Sequence, residues 1–121
     1  MIGIDIVEIP RIEKLLNEYG AKFTKKIFTD YEIAYCEGFR NRAERYAARF
    51  ALKEAVAKVI KTGPSFFWLD IEVRSEKSGA PYVVLSERLK EIFPYQIEIS
   101  LSHGTEYAVG IAIGKFIPVG I

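Results

Sequence analysis

From Ala43 to Lys61 the chain contains neither glycine nor proline, is rich in alanine, and is brought to a stop at Gly63-Pro64. Alanine is the best helix former and proline cannot continue a helix, so this run predicts one long central helix over 43–61. A helix of that length needs a partner layer, and a chain of 121 residues has room for one core. Half of the residues are apolar and about a quarter are charged, a globular balance that argues against intrinsic disorder.

The rest of the chain supplies the partner layer. Ile2, Ile4 and Ile6 alternate with Gly3, Asp5 and Val7, which predicts a strand with the isoleucines on one face and Asp5 on the other. Pro10 suits a first helical position, and Ile12, Leu15, Leu16 and Tyr19 then recur at helical spacing until Gly20 closes the segment. Thr29 and Glu32 form a capping-box pattern at the start of a short helix over Asp30 to Gly38. Strands are predicted at Leu69 to Arg74 and Pro81 to Leu85 around the turn signal Ser78-Gly79-Ala80-Pro81, and a helix at Ser86 to Phe93 before Pro94. Ile97, Ile99, Leu101 and His103 share one parity, and Tyr107 to Ile113 follow as a second apolar run after a turn containing Gly104. Helices gathered early, a hairpin-like second half and too little chain for repeated βαβ crossovers give an α+β fold, a small antiparallel sheet packed with the long central helix. No linker or repeat divides residues 1–121, so a single domain is expected.

Cys36 is the single cysteine and can form no internal disulfide, which is compatible with a reducing cytoplasm and reads as a structural thiol. No basic and apolar leader is recognisable, and no apolar run approaches the roughly 20 residues that span a bilayer, so neither export nor membrane insertion is expected. Residues 1–62 carry 12 Lys/Arg against 9 Asp/Glu, and the remaining 59 carry 5 against 7. Arg11, Lys14, Lys22, Lys25 and Lys26 make the region around the first helix basic, and an acidic protein surface is the partner class that fits best. Arg42, Arg45, Arg49 and Lys53 form a second stripe along the central helix. No aromatic residues interleave with that stripe, so it reads as a solvated face rather than a nucleic-acid surface.

Three side chains stand apart as candidates for chemistry. An ionised Asp5 inside an apolar strand needs a cation or hydrogen-bond donors, unless it is simply exposed at a sheet edge or paired with a lysine. Glu54 has Phe50, Ala51, Ala57 and Lys58 as its helical neighbours, away from the basic stripe; it is either a site carboxylate or half of a surface pair with Lys58 worth roughly 0.3–0.5 kcal/mol. His103, the single histidine, is placed either to serve a phosphate or a proton near neutral pH, or to sit satisfied in the structure. No histidine or cysteine cluster supports zinc, whereas two separated carboxylates suit Mg²⁺, whose other positions are filled by water and substrate phosphate. Neither a Walker-type lysine loop nor a dinucleotide glycine fingerprint is present.

The segments Gly3-Ile4-Asp5-Ile6-Val7-Glu8-Ile9, Arg49-Phe50-Ala51-Leu52-Lys53-Glu54-Ala55 and Ser100-Leu101-Ser102-His103 resemble, in order and separation, the three signatures of the holo-acyl-carrier-protein synthases, the short single-domain type of 4′-phosphopantetheinyl transferase. The likeness continues through Ile27-Phe28-Thr29 with Glu32, Thr62-Gly63, Trp68 to Val73 and Tyr107-Ala108, and so covers nearly the whole chain. It implies a cytoplasmic, Mg²⁺-dependent enzyme that moves the 4′-phosphopantetheine arm of coenzyme A onto a serine of apo acyl carrier protein. The other product would be adenosine 3′,5′-bisphosphate, and the reaction would support fatty acid biosynthesis.

The same resemblance assigns Asp5 and Glu54 as metal ligands and places the catalytic Lys58 and His103 near the phosphates. It puts Gly63 near the nucleotide and adds Arg49 and Lys53 from the central helix to the coenzyme A contacts. Arg11, Lys22 and Lys25 resemble the basic positions that receive the carrier protein, and family members are homotrimers with sites between subunits. The serine proton is left either to Glu54 or to a water held by the metal. One departure is visible, since Gly104 follows the histidine where relatives often carry a hydroxyl residue, with Thr105 next. Two other readings stand beside this one: a non-enzymatic module docking acidic partners through the first helix, and a Mg²⁺-dependent enzyme acting on a different nucleotide or phosphoester.

Overall fold

The computed structural model describes residues 1–60, 68–93 and 95–116; Gly63, the Gly63-Pro64 stop and Pro94 lie outside the described residues. Along the chain run β1 (Ile2–Glu8), α1 (Ile9–Tyr19), α2 (Ala21–Ile27), α3 (Asp30–Glu37), α4 (Arg42–Ile60), a 3-10 turn (Trp68–Asp70), β2 (Ile71–Ser75), β3 (Pro81–Leu85), α5 (Glu87–Ile92), β4 (Tyr95–His103) and β5 (Tyr107–Phe116). The fold is α+β. An antiparallel sheet in the order β1-β5-β4 carries α4 across one face, and β2 and β3 form a separate antiparallel hairpin.

Local chemistry explains most boundaries. The Thr29 hydroxyl accepts from the Glu32 N–H at 3.3 Å, and the Glu32 carboxylate accepts from the Thr29 N–H at 2.8 Å, which completes the expected capping box of α3. Gly20 ends α1 with φ of 52°, and its left-handed backbone redirects the chain into α2, an element that the sequence reading had not assigned. The strand expected from Leu69 begins instead at Ile71. The residues before it are drawn into a tight turn in which Asp70 accepts two hydrogen bonds from Ser86, one from its hydroxyl and one from its N–H, both at 2.8 Å.

The face that β1 turns to the core is the one carrying Gly3, Asp5 and Val7, while Ile2, Ile4 and Ile6 remain 58–70% exposed. Close approach of two backbones decides this outcome. A Cβ on Gly3 would come within 2.0 Å of the Ala55 carbonyl oxygen, and one on Gly110 within 2.6 Å of the Ala51 carbonyl carbon. Two side-chain-free positions thus let α4 settle directly on β1 and β5. The isoleucines pair across to Ile113, Ile111 and Val109 on β5, so the sheet presents an apolar strip on the side away from α4.

The basic stripe of α4 is not a solvated face. Arg42 donates to Glu37 at 2.9 Å, Arg45 lies over the Phe39 ring, Arg49 lies over the Tyr35 ring and donates to Ser75 at 3.0 Å, and Lys53 donates to Glu32 at 2.6 Å. Each cation meets a residue of α3 or the segment after it, in roughly reverse order along the two elements. Arg49 is nearly buried and Lys53 completely so. Beneath them, Phe28 packs on Tyr46 with ring centroids 4.9 Å apart, and Cys36 is fully enclosed. Burial pushes the Cys36 thiol up to about 12, which leaves it un-ionised and unreactive at neutral pH, as a structural thiol should be.

Candidate active site

Asp5 and Glu54 come from different elements and meet because β1 and α4 nearly touch. Asp5 stands at the middle of β1 on the helix side, in register with Gly110, and Glu54 lies on α4 next to Ala55, the residue that Gly3 admits. One turn further on, Lys58 donates to the Ile4 carbonyl at 2.7 Å and lies 3.3 Å from the Asp5 carboxylate. The Lys58 ammonium therefore ties α4 to β1, and the simple surface pair between Glu54 and Lys58 is not how the lysine is used.

Burial raises the Glu54 carboxyl above the ordinary carboxylate range, the negative charge of Asp5 raises it further, and Lys58 opposes both. Two carboxylates in each other's field favour a bound cation. Among the described residues no group of three or more His, Cys, Asp and Glu side chains is assembled to hold a metal. Two carboxylate groups beside an open cleft fit a cation that keeps water or substrate oxygens, such as Mg²⁺, and do not fit zinc or an all-protein Ca²⁺ cage. Beside it opens a cleft of about 350 Å³ lined by Asp5, Glu54, Arg11, Phe23, Phe50 and Tyr107. Arg11 is thus part of the same opening, and Lys22 and Lys25 are exposed on the neighbouring α2.

The remaining expected site residues are placed elsewhere. Lys53 is sealed in its ion pair with Glu32, and Arg49 is held between Tyr35 and Ser75, so neither lines this cleft. Gly63 lies outside the described residues. His103 ends β4, the opposite edge strand from β1, in register with Ala108 and through it with Val7. Two strand spacings of roughly 4.8 Å separate it from the β1 edge. Its near neighbour is Glu44, whose Oε2 is 3.8 Å from the imidazole Nδ1. Sequence reasoning missed Glu44, because an acidic residue in the first helical turn is explained locally by the helix dipole.

The family model for the 4′-phosphopantetheinyl transferase superfamily matches residues 1–112. A holo-acyl-carrier-protein synthase from Fusobacterium nucleatum is 46% identical over 118 residues, covering 93% of this chain and 95% of that protein. The one from Halothermothrix orenii is 40% identical over 119 residues, covering 94% and 95%. Among solved structures, the Helicobacter pylori holo-acyl-carrier-protein synthase in complex with coenzyme A matches with a TM-score of 0.86 at 32% identity, over 95% of this chain and 100% of that one. The Bacillus anthracis synthase in complex with CoA (3′,5′-ADP) matches with a TM-score of 0.81 at 36% identity, over 96% of each. The chain belongs to the 4′-phosphopantetheinyl transferase superfamily.

Proposed function

We propose that this chain is a Mg²⁺-dependent holo-acyl-carrier-protein synthase, transferring the 4′-phosphopantetheine group of coenzyme A to a serine of apo acyl carrier protein. The observation that carries the reading is the meeting of Asp5, Glu54 and Lys58 beside an open cleft, in a chain whose full-length relatives bear that name. Asp5 and Glu54 would hold Mg²⁺, which when bound supplies charge neutralisation and Lewis acidity at the pyrophosphate. Lys58 places an ammonium beside the same carboxylates, where negative charge grows during transfer. The carrier serine gives up its proton, to Glu54 or to water, and its oxygen forms a bond to the pantetheine-side phosphorus as the bond from that phosphorus to the bridging oxygen breaks. Adenosine 3′,5′-bisphosphate leaves. Such a reaction asks for alignment and charge stabilisation more than for covalent help, and a sparse site is sufficient.

Arg11, Lys22 and Lys25 form the docking surface for the acidic carrier, with Arg11 reaching into the cleft where its serine must arrive. The site is completed in a homotrimer. The support is the apolar strip of Ile2, Ile4 and Ile6, left exposed on the sheet, together with the position of His103 at the edge opposite β1. Packing of copies through that strip brings the β4 edge of one chain toward the β1 edge of the next, so that His103 serves a neighbour's phosphates. Ile4→Asp is expected to reduce the particle from three chains to one by light scattering, with transfer lost in parallel; an unchanged mass would move the interface elsewhere. The reaction is assigned to the cytoplasm, where it supplies holo carrier protein for fatty acid synthesis. Among the described residues no helix is long and apolar enough to cross a membrane.

The decisive test mixes the protein with apo acyl carrier protein, coenzyme A and Mg²⁺ and weighs the carrier by intact mass spectrometry, with a chelator control. A phosphopantetheine-sized gain that disappears with chelator is expected. Absence of any gain on several folded apo carriers would overturn the assignment.

A further inference from the structure

His103 has one ring nitrogen in an incomplete environment. Its Nδ1 is buried and has no hydrogen-bond partner among the described residues, while the side chain as a whole keeps about a quarter of its surface. That exposure therefore belongs to the other ring atoms. The group facing Nδ1 is the Glu44 carboxylate at 3.8 Å, through the same Oε2 that accepts a 2.7 Å hydrogen bond from the Asn41 side-chain amide. Asn41 precedes α4 and Glu44 lies in its first turn, so the carboxylate is anchored to the helix that also carries Glu54 and Lys58.

A buried imidazole nitrogen without a partner is costly, and movement of less than an ångström gives it one. We propose that Glu44 is a positioning residue for His103, receiving the Nδ1 proton and holding the ring in the tautomer that leaves Nε2 free for a ligand. Nε2 then accepts a proton and, once it carries one, donates to an anionic oxygen, with the carboxylate balancing the imidazolium charge. Asn41 fixes the carboxylate rotamer from behind. The ligand part of this inference, that the oxygen belongs to a phosphate of coenzyme A, rests on the proposed function; the dyad itself does not.

The chain has a single histidine, so its imidazole signals are unambiguous. Nitrogen-15 NMR of the histidine-labelled protein is expected to show the proton of the neutral ring on Nδ1. Glu44→Ala should transfer it to Nε2, and Glu44→Gln, which keeps an accepting oxygen, should retain the Nδ1–H form. With coenzyme A and apo carrier, Glu44→Ala should lose kcat/KM by about tenfold or more, and Glu44→Gln should recover part of it. A wild-type ring protonated on Nε2, or shifts that Glu44→Ala leaves in place, would overturn the dyad. An Nδ1–H ring in a protein that transfers nothing would uphold the dyad and remove the function it was meant to serve.

Discussion

Glu54→Gln is expected to lower transfer by more than about 100-fold and at the same time to raise the melting temperature of the metal-free protein at neutral pH. The first effect follows from losing one of two carboxylates at the site. The second follows from the raised Glu54 carboxyl, which burial and the charge of Asp5 hold above the ordinary range. A group whose folded pKa is raised gives its stabilisation fully below the unfolded value, and that stabilisation is lost as pH rises through the folded one. Wherever the pH lies above the raised folded value, ionising the native carboxylate carries a cost that glutamine does not. The advantage of the variant should fade as the pH falls below the ordinary carboxylate range. Mg²⁺ should reverse the ranking by stabilising the wild type alone, since a ligand adds stability only to the form that binds it. Thermal melts at two pH values, with and without Mg²⁺, read all of this out; a variant that melts lower throughout and still answers to Mg²⁺ would remove Glu54 from the metal site.

The second large effect is on stability. Glu32 accepts hydrogen bonds from the Thr29 N–H, the Val73 N–H and the Lys53 ammonium, and both it and Lys53 are fully buried. One carboxylate thereby joins the start of α3, strand β2 and the middle of α4. Burial outweighs the attraction of Glu32 and pulls the Lys53 ammonium below its ordinary pKa, so the charged pair is held at some cost. Lys53→Met should destabilise the fold by about 3–5 kcal/mol, because it strands a buried carboxylate. For a total stability of about 5–15 kcal/mol that is a large share. The double variant Glu32→Gln with Lys53→Met should recover part of the loss, and urea melts of the four members of the cycle would measure the coupling. Equal stability of Lys53→Met and wild type would refute the role given to the pair.

What could be read in advance was what the chain encodes over short distances. The capping box needs only Thr29 and Glu32, three residues apart, and the length of α4 needs only an absence of glycine and proline; both are local and both were legible. Family likeness carried Asp5 and Glu54, whose separate readings stayed open because a carboxylate's partner across 49 positions leaves no mark in its own window. The basic stripe failed for the same reason in reverse. Four cations at helical spacing look solvated until Glu32, Tyr35, Glu37 and Phe39 fold against them. Nor does the alternation of β1 say which side is inward, since the more hydrophobic face is the one left exposed.

Gly3 and Gly110 set the distance between strand and helix by contact of main chain with main chain. The spacing of the two carboxylates is consequently a dimension of the backbone, insensitive to the sizes of the surrounding side chains. Interior side chains can change in size while the main-chain contact holds Asp5 and Glu54 at the same separation. The two hydrogens that stand where side chains would be are what allow the rest of the sequence to drift.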